Sequence, residues 1–408
     1  MTFKNVVKLG DFVTIKHGYA FPGKFITSQE TKKILVTPGN FNIGGGFKSS
    51  KFKYYSGETY PEQYRFNGGE LIVTMTDLSK ETDTLGYAAL VPNDNNIYLH
   101  NQRVGLVQIL NNDLDKMYLY WKMRTREYQE FIANSASGTS VMHTSPKKIC
   151  EYEFLLPTKL EQKAIASVLS SLDEKIDLLH CQNKTLESMA ETLFRQWFDV
   201  DSNDEWQEKN VLDIFTLVGG GTPKTSVAEY WTDEIPWISG GDISAAHQGY
   251  LYSTEKSISL AGLQNSSAKL LPKNSTVISA RGTVGKYALL ARDMAFSQSN
   301  YGIVSKIGNY PFFIYLLVGF IVDDLLTAAY GSVFDTITTR TFESVNLKFP
   351  SLNSIEKFNE EISPIFSKKE MNTQQIKTLE TLRDTLLPKL MSGEVRVQYA
   401  EEKLESVA

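Results

Sequence analysis

Two stretches of the chain match without a gap when the sequence is shifted by 193 positions. Gln182, Lys184, Thr185, Leu186, Glu187, Thr192 and Leu193 fall on Gln375, Lys377, Thr378, Leu379, Glu380, Thr385 and Leu386. The match reaches back to Pro157 over Pro350 and Gly138 over Gly331, so the repeated unit is a domain followed by a helix. A chain built this way folds as two similar halves. The expected class is mixed α/β, with two globular domains joined by two long helices in an antiparallel coiled coil and an internal pseudo-twofold repeat.

The first helix is well marked. Ile165, Leu169, Leu172, Ile176, Leu179, Asn183, Leu186, Ala190, Leu193 and Trp197 alternate steps of four and three, the a and d spacing of a coiled coil. Thr158 and Glu161 have capping-box spacing directly after Pro157. About 40 residues at 1.5 Å each make ~60 Å, longer than a small domain is wide. Asn183 falls on an a position, where an amide fixes register at a cost in stability. The second copy runs through Phe358, Ile362, Ile365, Lys369, Asn372, Ile376, Leu379, Arg383, Leu386 and Leu390. Pro364 should kink it, and Lys369, Asn372 and Arg383 should break its apolar seam, so a shorter or bent helix is expected there. Leu172, Ile176, Leu179, Asn183, Leu186, Leu193, Ile376, Leu379 and Leu386 are the candidate helix and subunit contacts.

Composition narrows the class. The chain has 408 residues, 42% hydrophobic and 22% charged, enough for two or three domains with ample core. Two cysteines, Cys150 and Cys181, without metal or redox spacing, fit a reduced compartment. The N-terminus has no apolar signal core, and the run from Phe312 to Val322 is too short to span a bilayer, so a cytoplasmic protein with no membrane partner is expected. The net charge of −5 is uneven: residues 1–157 carry +3 and residues 200–350 carry −4. Such a chain is no stand-alone, tight nucleic-acid binder; partner subunits or local clusters would have to neutralise phosphates.

In order, the chain divides into a first domain (1–157), a central helix (158–199), a second domain (200–350) and a C-terminal helix with its tail (351–408). Short strand-like runs, Phe12 to Ile15, Ile34 to Val36, Glu70 to Met75, Ala88 to Val91 and Val104 to Ile109, alternate with Gly- and Asn-rich turns. A helical run, Lys116 to Ala133, follows, with Phe312 to Ala329 as its counterpart. Asp11, Thr14 and Gly18 correspond to Asp213, Thr216 and Gly220, and Gly105-Leu106-Val107 to Gly302-Ile303-Val304. Lys48-Ser49-Ser50-Lys51-Phe52-Lys53-Tyr54-Tyr55 interleaves basic and aromatic residues, which suits either a phosphate and base surface or an amphipathic strand.

Several segments resemble one family. Gly220-Gly221-Thr222-Pro223, Ile235-Pro236-Trp237-Ile238, Asp242-Ile243 and Ile278 through Lys286 resemble the target recognition domain of type I restriction-modification specificity subunits. So do Thr76-Asp77, Leu85-Gly86-Tyr87 and Asn101-Gln102-Arg103. Leu193-Phe194-Arg195-Gln196-Trp197-Phe198 and Leu386 through Val397 are similar to that family's helical spacers. The resemblance implies a non-catalytic subunit whose two domains each read one half of a split site on double-stranded DNA, while the helices set the spacing and dock methyltransferase subunits, two of them by expectation. Restriction and translocation subunits would join these partners. S-adenosylmethionine, ATP and magnesium are then expected on the partner subunits, with no cofactor or metal on this chain. Consistently, no two prolines are adjacent, so the Pro-Pro motif of adenine methyltransferases is absent. His17, His100, His143, His180 and His247 show no metal spacing.

Base reading calls for Arg or Lys to guanine and Asn or Gln to adenine. The candidates are Asp77, Lys80, Gln102 and Arg103 in the first domain and Arg281, Lys286, Gln298 and Asn300 in the second. Lys48, Lys51, Lys53 and Arg65, with Tyr55 beside them, suit phosphate. The rival reading is a two-headed scaffold that binds proteins or glycans at the ends of a coiled-coil rod, favoured by the acidic second domain.

Overall fold

The computed structural model describes residues 6–77, 83–138, 141–198, 206–330 and 336–397. The chain forms two compact units, Met1–Lys175 with Leu379–Ala408, and Ile176–Thr378. Each owns one globular domain and a stretch of both long helices.

In the first unit a four-stranded antiparallel sheet takes the order Val13–His17, Val104–Ile109, Leu71–Thr74, Ala88–Leu90. A second sheet takes the order Ile26–Thr27, Lys53–Tyr55, Lys33–Val36, Ile97–His100, with the last pair parallel. Leu71–Thr74 is buried throughout, as a strand covered on both faces must be. The helical run expected from Lys116 is split into Lys116–Lys122 and Arg126–Asn134. The cause is a second N-cap, for Thr125 Oγ1 accepts from the Tyr128 backbone and its own hydroxyl donates to Lys122 O.

The second unit repeats the plan. Phe215–Gly219, Asn300–Ser305, Thr276–Ser279 and Tyr287–Leu290 form the matching sheet, extended by Tyr250–Leu251. Lys256–Ile258, Ile235–Ile238, Met294–Phe296 and Leu270–Leu271 form the other, again with one parallel pair, Ile235–Ile238 beside Met294–Phe296. The helix Pro311–Tyr330 is longer than the apolar run that marks it, and it is apolar and long enough to cross a membrane by length and composition. Here Phe313, Tyr315, Leu317, Val318, Ile321 and Leu325 sit in the domain core instead.

The central helix runs without a break over Lys159–Trp197. Its start is the expected capping box: Thr158 N donates to Glu161 Oε2 at 2.8 Å, and Glu161 N to Thr158 Oγ1 at 3.3 Å. Buried Gln162 ties it to the first domain by donating to Asp113 O and accepting from Asp115 N. The C-terminal helix departs from expectation. It is continuous over Leu352–Ser392, longer than its partner, because Pro364 lies on the exposed face, where a carbonyl freed by the missing N–H meets solvent.

The seam is also not broken where polar residues enter it. Within the second unit Lys369 and Asn372 are buried, Lys369 ion-pairs with Glu187, and Asn372 Nδ2 donates to Asn183 Oδ1 at 3.0 Å. Asn183 Nδ2 donates in turn to Thr373 Oγ1 at 3.1 Å. Within the first unit Asp173 accepts from Arg383 at 2.5 Å and from Arg124 at 2.7 Å. Each polar group in the seam meets one from the facing helix, so the heptad survives with layers that specify register. In the second unit residue numbers fall along one helix as they rise along the other, from Asn183–Asn372 through Glu187–Lys369 to Phe194 against Phe358. The pairing there is antiparallel. Leu169, Ile165, Leu387, Leu390 and Met391 share one core in the first unit, each such side chain contributing about 1.5–3 kcal/mol on burial.

Candidate nucleic-acid interface

In the first domain the register pairs Val104 with Thr74 and Gly105 with His17, so three strands begin or end at one edge. The turn Asn101-Gln102-Arg103 crosses that edge. Val104 N donates to Asn101 O, Met75 N to Arg103 O and Gln102 N to Tyr19 O, all at 3.0–3.1 Å. Asn101 Oδ1 caps the turn by accepting from Arg103 N at 3.0 Å. Gly18 lies directly beneath it: a Cβ there would stand 2.1 Å from Asn101 O. Gln102 and Arg103 are exposed. Tyr19 and Tyr64 sit beside them with ring centroids 5.4 Å apart, and Lys16 Nζ lies 5.1 Å over the Tyr64 ring. Under the turn His100 is buried against Phe66, its Nε2 2.8 Å from Val104 O. Burial pushes its pKa down to about 4, so the neutral ring donates that bond at physiological pH.

The remaining candidates of this domain separate by environment. Lys48, Lys51, Lys53 and Arg65 are exposed, Lys53 Nζ reaching Ser28 Oγ at 3.3 Å. Tyr55 is not a surface residue: it packs edge-on to Phe21 and Phe25 in a small core with Leu35 and Leu99, while its neighbour Tyr54 packs on the other face of the strand. Asp77 is buried too, and its Oδ2 accepts from Thr84 N at 2.7 Å and Thr84 Oγ1 at 2.6 Å. Its carboxylate is turned to Thr84, away from the surface. Lys80 lies outside the described residues.

In the second domain Ser279 pairs with Asn300 and Gly219 with Tyr301, which brings the corresponding strand ends to one edge. The turn Ser297-Gln298-Ser299 crosses it, with Asn300 N donating to Ser297 O at 3.2 Å and Ala280 N to Ser299 O at 2.9 Å. Gly220 is the glycine beneath, its Cβ position 2.3 Å from Ser297 O. Gln298 is exposed and its Oε1 accepts from the Thr222 hydroxyl. Arg281 is exposed at the same end of the sheet, beside Gly282 at φ +77°. Asn300, by contrast, is buried, and its Nδ2 donates to Ser297 Oγ at 2.9 Å and Ile238 O at 3.3 Å. It supports the turn instead of reaching outward. Lys286 is half-buried and lines a cleft of about 350 Å³ with Glu191, Arg195, His247 and Asp323, among others. That cleft faces the central helix.

Tyr19, Tyr64, Lys16 and Thr222 were not among the sequence candidates. The matched pair Gly18 and Gly220 was the available signal, since Tyr19 and Thr222 follow those glycines within two residues. Among the described residues no group of His, Cys, Asp and Glu could hold a metal ion.

The sequence profile of the type I restriction modification DNA specificity domain matches residues 2–188 and again residues 203–381. The chain belongs to the type I restriction-modification specificity subunits. A specificity subunit of this kind is a DNA-recognition component of its system. The MjaIX specificity subunit of Methanocaldococcus jannaschii is 26% identical over 336 residues, covering 77% of this chain and 76% of that one. The HindI specificity subunit of Haemophilus influenzae is 24% identical over 349 residues, covering 66% and 75%. Among solved structures, the S subunit of the type I restriction-modification system from M. genitalium shares the fold at a TM-score of 0.58 and 16% identity, covering 95% of this chain and 96% of that one.

In this specificity subunit Ile176, Leu179 and Ile376 are buried and Leu172, Asn183, Leu186, Leu193, Leu379 and Leu386 half-buried, each within its own unit. The positions Cys181, Lys184, Thr185, Lys377 and Thr378 face solvent.

Proposed function

We propose that this specificity subunit reads a split DNA sequence, one half with each domain, while its helices set the unread spacing and dock methyltransferase subunits. The observation that supports this reading most is the duplicated sheet edge: in each domain a pinned turn with an exposed glutamine stands over a glycine, next to strand ends that carry exposed Arg residues. A single recognition surface would need no second copy. The chain itself is non-catalytic; S-adenosylmethionine, ATP and magnesium act on two methyltransferase subunits and on restriction and translocation subunits that join it on double-stranded DNA. The acidic second domain then leaves much phosphate neutralisation to those partners.

The test is an exchange of residues 1–157 for the domain of another family member, followed by single-molecule mapping of methylated sites in cells that also supply the methyltransferase. One half of the recognised sequence should change and the other stay. A change in both halves would rule out independent reading.

A further inference from the structure

The two turns are equivalent in structure although a direct sequence match hides it. Alignment on Gly105 and Gly302 sets Asn101 against Gln298. The backbone bonds give a different pairing: Val104 N to Asn101 O matches Asn300 N to Ser297 O, and Met75 N to Arg103 O matches Ala280 N to Ser299 O. The glycine contacts agree, Gly18 against Asn101 O and Gly220 against Ser297 O. Gln102 and Gln298 are therefore the same position, and the strand registers carry the pairing on, Gly105 opposite His17 as Tyr301 is opposite Gly219, so Gly105 matches Tyr301 and the sequence match of Gly105 to Gly302 is one position out of register. Their neighbours differ, Asn101 and Arg103 against Ser297 and Ser299, while the glutamine recurs.

We infer that Gln102 and Gln298 are paired adenine readers, each offering its carboxamide to an A·T pair in the half-site of its own domain. This rests on the half-site reading proposed above. A carboxamide has one donor and one acceptor side by side, matching N7 and the N6 amino group of adenine in the major groove; guanine offers two acceptors there. Both side chains are exposed on turns whose backbone is fixed from beneath, so the amide is presented on a rigid base. Gln298 is held further: the Thr222 hydroxyl occupies one lone pair of Oε1 and leaves the second lone pair and Nε2 for a base. Gln102 has no such side-chain partner among the described residues. Gln298 should discriminate more sharply than Gln102, because less freedom is lost when it binds.

The experiment uses the assembled methyltransferase complex and genome-wide mapping of its methylated sites. Gln298→Ala should relax one A·T position of one half-site by roughly 5- to 150-fold, and Gln102→Ala one position of the other half-site. Thr222→Val should relax the Gln298 position in part and nothing else. Gln298→Glu keeps the shape but loses the donor, so it should relax the same position; its melting curve, matched to wild type, separates this from misfolding. An unchanged motif in both alanine variants overturns the inference, as does a loss spread evenly over all sites, which marks a phosphate contact. The domain exchange run in parallel keeps the two ideas apart: one shifted half-site with inert glutamines leaves half-site reading standing and removes the glutamines.

Discussion

Replacing Glu187 with Ala should destabilise the second unit more than any exposed substitution, because Glu187 is one side of a buried ion pair. Its carboxylate meets Lys369 and accepts from Tyr315 Oη at 2.9 Å, and Lys369 also donates to Gln248 O at 3.2 Å. Side-chain exposure is 3% for Lys369 and 9% for Glu187, so water cannot replace the lost partner. Stranding one member of such a pair costs about 3–5 kcal/mol. In a unit of this size that corresponds to a fall in Tm of roughly 6–20 °C. The double substitution Glu187→Met with Lys369→Met should recover most of the loss, since an apolar pair of similar volume is often neutral. Burial pulls the Lys369 pKa down from its usual 10.5 to about 7. The unfolded chain then binds more protons than the folded one between about pH 7 and 10.5, so stability relative to Lys369→Met should rise with pH through that window. Thermal and urea unfolding at pH 6 and pH 9 measure all four chains. A cost below about 1 kcal/mol for Glu187→Ala at pH 6, where Lys369 is charged, or no recovery in the double variant at that pH, would refute the reasoning.

Further outcomes follow from single contacts. Asn183→Leu removes one of the two acceptors of the fully buried Asn372 amide and leaves it Gln182 Oε1 at 3.3 Å, so it should lower stability by about 1 kcal/mol in urea unfolding; Leu at both positions should raise it instead. His100 is held neutral in the fold, with its pKa moved from 6.5 to about 4, so stability of the first unit should fall as pH drops from 6.5 to 4, by of order 3 kcal/mol, and a His100→Gln variant should lose most of that pH dependence. Gly220→Ala places a methyl 2.3 Å from Ser297 O, and Gly18→Ala one 2.1 Å from Asn101 O. Each should abolish reading of one half-site in methylation mapping while the other half persists.

The repeat and the heptad carried most of the fold in the sequence. Every a and d position of the C-terminal helix from Phe358 to Leu390 is buried or half-buried, including the polar ones. What stayed hidden was pairing across helices: Lys369 and Asn372 read as breaks because their partners, Glu187 and Asn183, are more than 180 residues away. Pro364 does not shorten the helix, since it lies on the exposed face. Among the site candidates, residue type alone could not separate exposed Gln298 from Asn300, two positions on and buried. Packing against Phe21 and Phe25 buries Tyr55, but Lys53–Tyr55 was too short a run to announce itself as a strand. The equivalence of Gln102 and Gln298 needed backbone hydrogen bonds and strand register, because the glycines that align the two strands in sequence, Gly105 and Gly302, stand one position apart in the structure.

The central claim is that each domain reads its half-site independently and that helix length sets the distance between halves. An insertion after Arg195 alone would tear the second domain's core, where Phe194, Trp197 and Phe198 pack. Four helix-favouring residues placed after Lys175, and four more after Thr378, avoid that and leave the Asp173–Arg383 layer on one side and the Asn183–Asn372 layer on the other, each with its own partner. The pair lengthens by about 6 Å at 1.5 Å per residue. Mapped methylation sites should then show both half-site sequences unchanged and the unread spacer longer by one or two base pairs, at about 3.4 Å each. An unchanged spacer with active methylation would contradict the account.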